Sequence, residues 1–144
     1  MQRLLTKFEN QLCDIQGRLF ERSLIMNLDS KDFIDKFMNS ETCRHMDLSY
    51  DRLQWAGEEY ILDYLLDEIN IDPKGINYKK DELYWTGYIY RYWHYLTGES
   101  GRKIYSQIKA PTIKNCYLGF HTLDNTLAVE NLKEIHRQEM NKMN

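Results

Sequence analysis

Residues 84–95 constrain the fold more than any other part of the sequence. They include seven aromatic side chains in twelve positions, so large rings lie on every side of a helix drawn through them. A helix that is bulky all round is normally buried at the centre of a protein. One face of this aromatic helix carries Trp85, Ile89 and Trp93 at helical spacing, and we expect that face to be buried.

A second face of the aromatic helix has a role that the sequence leaves open. It carries four side chains: Tyr84, Tyr88, Arg91 and Tyr95. In one interpretation they join a core network, in which an acid from another helix pairs with Arg91, because a buried guanidinium without a partner is very costly. In the other they line an exposed groove that binds a partner, since Tyr, Trp and Arg dominate interface hot spots. The exposure of Arg91 decides between the two interpretations.

The rest of the sequence predicts an all-α fold, a compact orthogonal bundle of about six to seven helices around the central aromatic helix. Two prolines and seven glycines in 144 residues are few for a loop-rich β fold. Residues 1–144 are interpreted as a single helical domain, because neither half shows a complete core alone. Residues 70–80, with Pro73 and Gly75, form the predicted internal loop, and residues 141–144 a frayed tail.

Two of the predicted helix starts depend on single serines. Ser30 is expected to cap a helix over residues 31–38, and Ser49 to cap a third major helix that continues to about residue 69. Tyr60 and Tyr64 fall within the wide apolar stripe of this third helix, next to Ile61 and its neighbours. The pattern therefore predicts that both tyrosines face the core.

Composition and motifs narrow the class of function. The net charge of −3 is mixed along the chain, so nucleic acid is an unlikely partner, since nucleic-acid binders usually show a basic face. No apolar run is long enough for a signal peptide or a membrane span, and Cys13, Cys43 and Cys116 show no CxxC spacing, so we expect a cytoplasmic protein with free thiols. HExxH and phosphate-loop patterns are absent. We therefore expect no metal, no cofactor and no catalytic residue.

The turn at residues 121–124 allows two interpretations. Asp124 is a good helix cap, which is the simpler account. Alternatively, His121 and Asp124 meet Arg91 or a partner. An enzyme or small-ligand binder would then have a pocket in which Arg91, His94, His121 and Asp124 converge. A DNA-binding regulator is the third possibility, although the sequence shows no convincing basic recognition helix.

Several of these segments together resemble a little-studied family of small bacterial helical proteins. The matching positions lie within residues 20–135 and are residues 33–34, 37–40, 47, 84–93 and 121–124. Members of that family are encoded beside ADP-ribosyltransferase-like toxins and act as antitoxin-type partners. A second serine usually follows the position of Ser100 in the family, where this chain has Gly101.

The resemblance implies a protein-binding module, an antitoxin-like partner that neutralises a toxin enzyme encoded by an adjacent gene. The predicted partner- or ligand-binding residues are Tyr84, Tyr88, Arg91, Tyr95, His121 and Asp124. The sequence specifies neither the identity of the partner nor the oligomeric state.

Overall fold

A computed structural model describes residues 4–48, 51–71 and 73–143 of the chain. Those residues form eight α-helices and one 3-10 turn, and they contain no strand. The elements are α1 (Lys7–Arg22), α2 (Ser30–Met38), α3 (Glu41–Asp47), the 3-10 turn (Arg52–Trp55), α4 (Glu58–Glu68), α5 (Lys80–Thr97), α6 (Gly101–Gln107), α7 (Ala110–Phe120) and α8 (Asn125–Lys142). The all-α prediction is confirmed for these ranges, whereas the number of helices exceeds the six to seven expected.

The aromatic helix α5 packs most extensively against α1 and also contacts α6, α7 and α8. Its predicted buried face is confirmed, because Trp85 is 8% exposed and Ile89 and Trp93 are fully covered. Gly98 ends the helix with a φ of 79°, a left-handed conformation that glycine adopts without strain. The sequence therefore predicted the burial of this face correctly.

Two glycines let α1 and α5 approach each other closely. A Cβ added at Gly87 would lie 2.5 Å from the carbonyl oxygen of Gln16, and one added at Gly17 would lie 2.9 Å from that of Tyr84. Both neighbouring atoms belong to the backbone of the facing helix, which cannot move aside independently. The glycine that weakens α1 as an isolated helix is thus required for its packing on α5.

The start of α2 differs by one residue from the prediction. Asp29, not Ser30, is the N-cap, and its carboxylate accepts a hydrogen bond from the amide of Asp32. The hydroxyl of Ser30 instead accepts a bond from the amide of Tyr78 at 2.8 Å. Ser30 therefore ties the loop before α5 to the start of α2.

The predicted third major helix is divided into two elements, and its buried stripe is narrower than expected. Residues 52–55 form the 3-10 turn and α4 begins only after Gly57, while the proposed cap Ser49 lies outside the described residues. The prediction that the α4 tyrosines face the core is wrong: Tyr60 is 57% exposed and Tyr64 38% exposed. The buried stripe is confined to Ile61, Leu62 and Leu65, and each tyrosine precedes a buried residue by one position, a rotation of about 100° around the helix.

The last helix, α8, begins after Asp124 and ends at Lys142. Asn141 and Lys142, in the predicted frayed tail, are therefore helical, and Asn144 lies outside the described residues. Among the helices described, none is both long and apolar enough to cross a membrane.

Candidate functional site

Arg91 lies in the interior, at the centre of a polar network between α1, α3 and α5. Its side chain is 1% exposed. The Nε atom donates to Oε1 of Gln16 at 2.8 Å, and Nη1 donates to Oδ1 of Asp47 at 2.6 Å. This is the core-network arrangement, in which an acid from another helix holds the guanidinium. Arg91 does not reach the protein surface.

Asp47 connects the Arg91 network to α6. Its second carboxylate oxygen accepts a hydrogen bond from the amide of Gly101 at 3.0 Å, and its backbone carbonyl lies 3.2 Å from Nε2 of His94. The Asp47 side chain is only 10% exposed. One carboxylate therefore neutralises Arg91 and also binds the first residue of α6, so it links three helices.

Cys43 borders the same network but is not a nucleophile in this environment. Its Sγ atom accepts a long hydrogen bond of 3.6 Å from Nη2 of Arg91. Burial, partly opposed by Arg91, raises the pKa of the Cys43 thiol to about 12. A Cβ added at Gly101 would lie 2.5 Å from this sulfur. The close approach of Cys43 and of the carbonyl oxygen of Met38 therefore favours glycine at position 101.

Glu99 forms a second polar cluster, between α5, α6 and α8. Its Oε1 accepts hydrogen bonds from Nε1 of Trp93 and Nζ of Lys133, both at 2.9 Å, and its Oε2 accepts one from Gln107 at 2.8 Å. Burial acts to raise the pKa of Glu99, but these three donors more than offset it and lower that pKa to about 2. Glu99 is therefore an ionised structural group at neutral pH.

The tyrosines on the Arg91 face of α5 are partly covered. The hydroxyl of Tyr84 donates to Asp14 on α1, and the rings of Tyr84 and Tyr88 lie 6.0 Å apart. Cζ of Arg91 lies 5.9 Å from the ring centre of Tyr95, within range of a cation–π contact. This face of α5 thus packs largely along α1.

His121 and Asp124 lie at the surface, away from the contacts of Arg91. The ring of His121 stacks on that of Tyr117 at 4.1 Å, and Asp124 caps α8 by accepting from the amides of Thr126 and Leu127. No hydrogen bond, ion pair or ring contact in the described ranges joins either residue to Arg91. The sequence-predicted cap at Asp124 is confirmed, whereas a shared pocket of Arg91 with His121 is not formed by these contacts.

The structure does bring two predicted site residues, Tyr84 and His121, into one surface groove. We call it the α5–α7 groove, and its volume is about 290 Å³. Its lining consists of Glu21, Asp81, Tyr84, Trp85, Tyr117 and His121. The sequence does not predict that Glu21, Asp81 and Tyr117 lie together, because no local motif links residues of α1, α5 and α7.

A second surface feature lies on the outer side of α4. The exposed side chains there are Glu59, Tyr60, Asp63, Tyr64 and Asp67, which we call the α4 face. The two tyrosine rings stack with centres 6.5 Å apart and planes 27° apart. The acids recur every fourth residue beside them, so the α4 face combines aromatic contact area with negative charge.

Comparisons with known proteins return no relative. No family model matches the chain, no curated protein does, and no solved structure does. Within residues 4–48, 51–71 and 73–143, no group of three or more His, Cys, Asp or Glu side chains is placed to hold a metal ion.

Proposed function

We propose that the chain is a protein-binding module, a bacterial antitoxin-type partner that neutralises a toxin enzyme encoded by an adjacent gene. The resemblance at residues 33–40, 84–93 and 121–124 supports the class of partner. The observation that carries the proposal is the α4 face, where two stacked tyrosines remain in solvent while the opposite side of the same helix is fully buried.

The chemistry of the α4 face suits a protein partner. Tyrosine offers a large and rigid contact area with few rotatable bonds, and it is enriched among residues that dominate binding energy. The side chains of Tyr60 and Tyr64 already stack, so little further ordering is needed when a partner covers them. Asp63 and Asp67 place exposed carboxylates beside them, while Glu59 pairs with Arg22 at 3.5 Å. The negative charge of the two aspartates favours a partner with a basic surface and speeds the encounter.

The aromatic helix has a supporting role in this proposal. It contacts α1, α6, α7 and α8, and α1 packs both on α5 and on α4. Arg91 then acts through its buried contacts with Gln16 and Asp47, which fix α1 and α3 relative to α5. The binding surface is thus held on a rigid element, which preserves the geometry of its anchors.

Co-expression in the cytoplasm of the native host with the product of the adjacent gene tests the proposal. We expect the two proteins to co-purify and the chain to relieve growth inhibition by the toxin. If they neither co-purify nor alter each other's effect on growth, the proposed function is wrong.

A pair of variants then tests the α4 face within that assay. The double substitution Tyr60→Ser and Tyr64→Ser removes both exposed rings, and we expect it to abolish co-purification and protection. Leu118→Ser is the matched control, because Leu118 is 82% exposed on α7 and belongs to neither surface feature. Equal loss of protection in both variants, or in neither, would exclude the α4 face as the contact surface.

A further inference from the structure

We propose that the α5–α7 groove is a binding site for a small alkylammonium cation, a group that carries methylated nitrogen. This site is separate from the α4 face and does not depend on the antitoxin proposal. Three observations lead to it: the orientation of the aromatic rings, the sign of the charges that line the groove, and its size.

The rings that line the groove stand in two nearly perpendicular orientations. The planes of Trp85 on α5 and Tyr117 on α7 meet at 75°, with ring centres 6.0 Å apart. His121 lies parallel to Tyr117, at an angle of 9°. Rings set at right angles can form the corner of an aromatic cage for a methylated cation. Trp85 is only 8% exposed, so the accessible ring surface at this corner is mainly that of the half-buried Tyr117 and the exposed His121.

The charges that line the groove favour a cation. Glu21 and Asp81 contribute carboxylates, and neither lysine nor arginine is among the lining residues. Nζ of Lys80 lies 3.6 Å from the carboxylate of Glu21, whose side chain is 21% exposed, while the Lys80 side chain is 73% exposed. Water around Lys80 screens this pair, so it neutralises Glu21 only in part. Asp81 is exposed, so its charge is available to a ligand at the groove.

The hydroxyl of Tyr84 in this groove remains neutral. Burial and the hydrogen bond to Asp14 hold the pKa of Tyr84 well above its usual range. Tyr84 therefore presents an uncharged ring alongside the two carboxylates. The volume of about 290 Å³ accommodates a quaternary ammonium group with a short substituent, while the open side of the groove leaves room for a longer chain.

A titration followed by two-dimensional amide NMR tests this site with choline as the probe. Its neutral isostere, 3,3-dimethylbutan-1-ol, has the same shape with carbon in place of the quaternary nitrogen. We expect choline to cause saturable shifts at the Trp85 indole and at the amides of residues 117–121, with an affinity about five-fold or more above that of the isostere. Equal affinities of choline and its isostere, or saturable shifts located elsewhere, would overturn the proposal.

Two variants and one control locate the site. Asp81→Asn removes a carboxylate from an exposed position, and Tyr117→Leu removes a ring; each should weaken choline binding by about three-fold or more. Leu118→Ser alters the neighbouring residue on α7, which does not line the groove, and should leave the affinity unchanged. If Tyr117→Leu does not fold, the test depends on Asp81→Asn alone. An unchanged affinity of Asp81→Asn for choline would contradict the proposed site.

A second probe distinguishes the two natural sources of such a cation. Nε-trimethyllysine amide represents a modified protein side chain, whereas choline represents a free metabolite. Tighter binding of the lysine derivative would assign the groove to a modified protein, and tighter binding of choline would assign it to a small molecule. Either result supports the cation site, and saturable binding of neither probe rejects it.

Discussion

Helices α5 and α4 both combine tyrosines with charged residues, yet they use them in opposite ways. In α5 the rings lie in the core or along α1, and Arg91 is neutralised inside by Asp47. In α4 the rings of Tyr60 and Tyr64 remain in solvent beside unburied carboxylates. The difference teaches that residue type alone does not separate a core aromatic cluster from a contact surface; the approach of a neighbouring helix does.

The approach of α1 explains why the two helices differ. Gly17 and Gly87 remove the side chains that would keep α1 and α5 apart, so α1 covers the polar face of α5. On the outer side of α4, Asp63 and Asp67 are exposed and lie four residues apart. Burial of the α5 face in turn requires that Arg91 be paired, whereas exposed carboxylates such as those of Asp63 and Asp67 are stabilised by water.

The largest effect is expected from breaking the buried charge pair. Asp47→Ala leaves the guanidinium of Arg91 without its carboxylate and removes the acceptor for the Gly101 amide, so the free energy of unfolding should fall by about 3–5 kcal/mol. Asp63→Ala on the α4 face is the matched control and should change the free energy of unfolding by about 0.5 kcal/mol or less. Urea unfolding measures both, and similar losses would remove the distinction between the two regions.

A smaller effect should follow from restoring a side chain at the crossing of α1 and α5. In Gly87→Ala the new methyl group meets the backbone of Gln16, so we expect a loss of about 1–3 kcal/mol. Gly119→Ala places the same methyl on α7, where no atom lies within 4 Å, and should stabilise by about 0.5 kcal/mol through helix propensity. Thermal unfolding of the two variants compares them. A Gly87→Ala protein as stable as the parent would show that the helices can separate without cost.

A pH-dependent effect is expected from the second buried cluster. The pKa of Glu99 is lowered from 4.5 to about 2, so its ionised form contributes stability above pH 4.5 that is lost as the pH falls towards 2. Glu99→Gln should be less stable than the parent at neutral pH, and the difference should shrink over that window. Urea midpoints measured from pH 7 to pH 2 test this expectation. A difference that stays constant with pH would mean that the charge of Glu99 makes no contribution.

The sequence predicted those parts of the fold that local patterns control. The cap at Asp124 and the buried Trp85–Trp93 face follow from spacing and from residue type. Gly57 was not recognised as a break, because its neighbours continue an apolar pattern into α4. The predicted apolar stripe of this helix is one residue too wide, so it includes Tyr60 among the core residues.

The candidate site was harder to predict, because its residues meet only in space. Asp47 was among the residues of the resemblance, but no local rule pairs it with Arg91, 44 positions along the chain. The same holds for Glu21 and Tyr117, which come from separate helices to the α5–α7 groove. The possibility that an acid from another helix pairs with Arg91 could be stated from the energetics of burial, whereas the identity of that acid required the structure.

The smallest effect on stability is expected at the α4 face. Removing both rings by Tyr60→Ser and Tyr64→Ser should lower the free energy of unfolding by about 1 kcal/mol, since Tyr60 is 57% and Tyr64 38% exposed and the variant loses their mutual contact and part of the burial of Tyr64. Urea unfolding of the double variant measures this. A loss as large as that of Asp47→Ala would mean that these tyrosines support the fold and are not available as binding anchors.

Amide hydrogen exchange on the purified chain, alone and with the product of the adjacent gene, tests the central claim most directly. We predict that the amides of α4 become more protected in the complex, because a partner covers the α4 face. The amides of α5 should be strongly protected in both states, because the helix is already enclosed by its neighbours. Unchanged exchange in α4, together with a partner-dependent change in α5, would contradict the assignment of α4 as contact surface and α5 as scaffold.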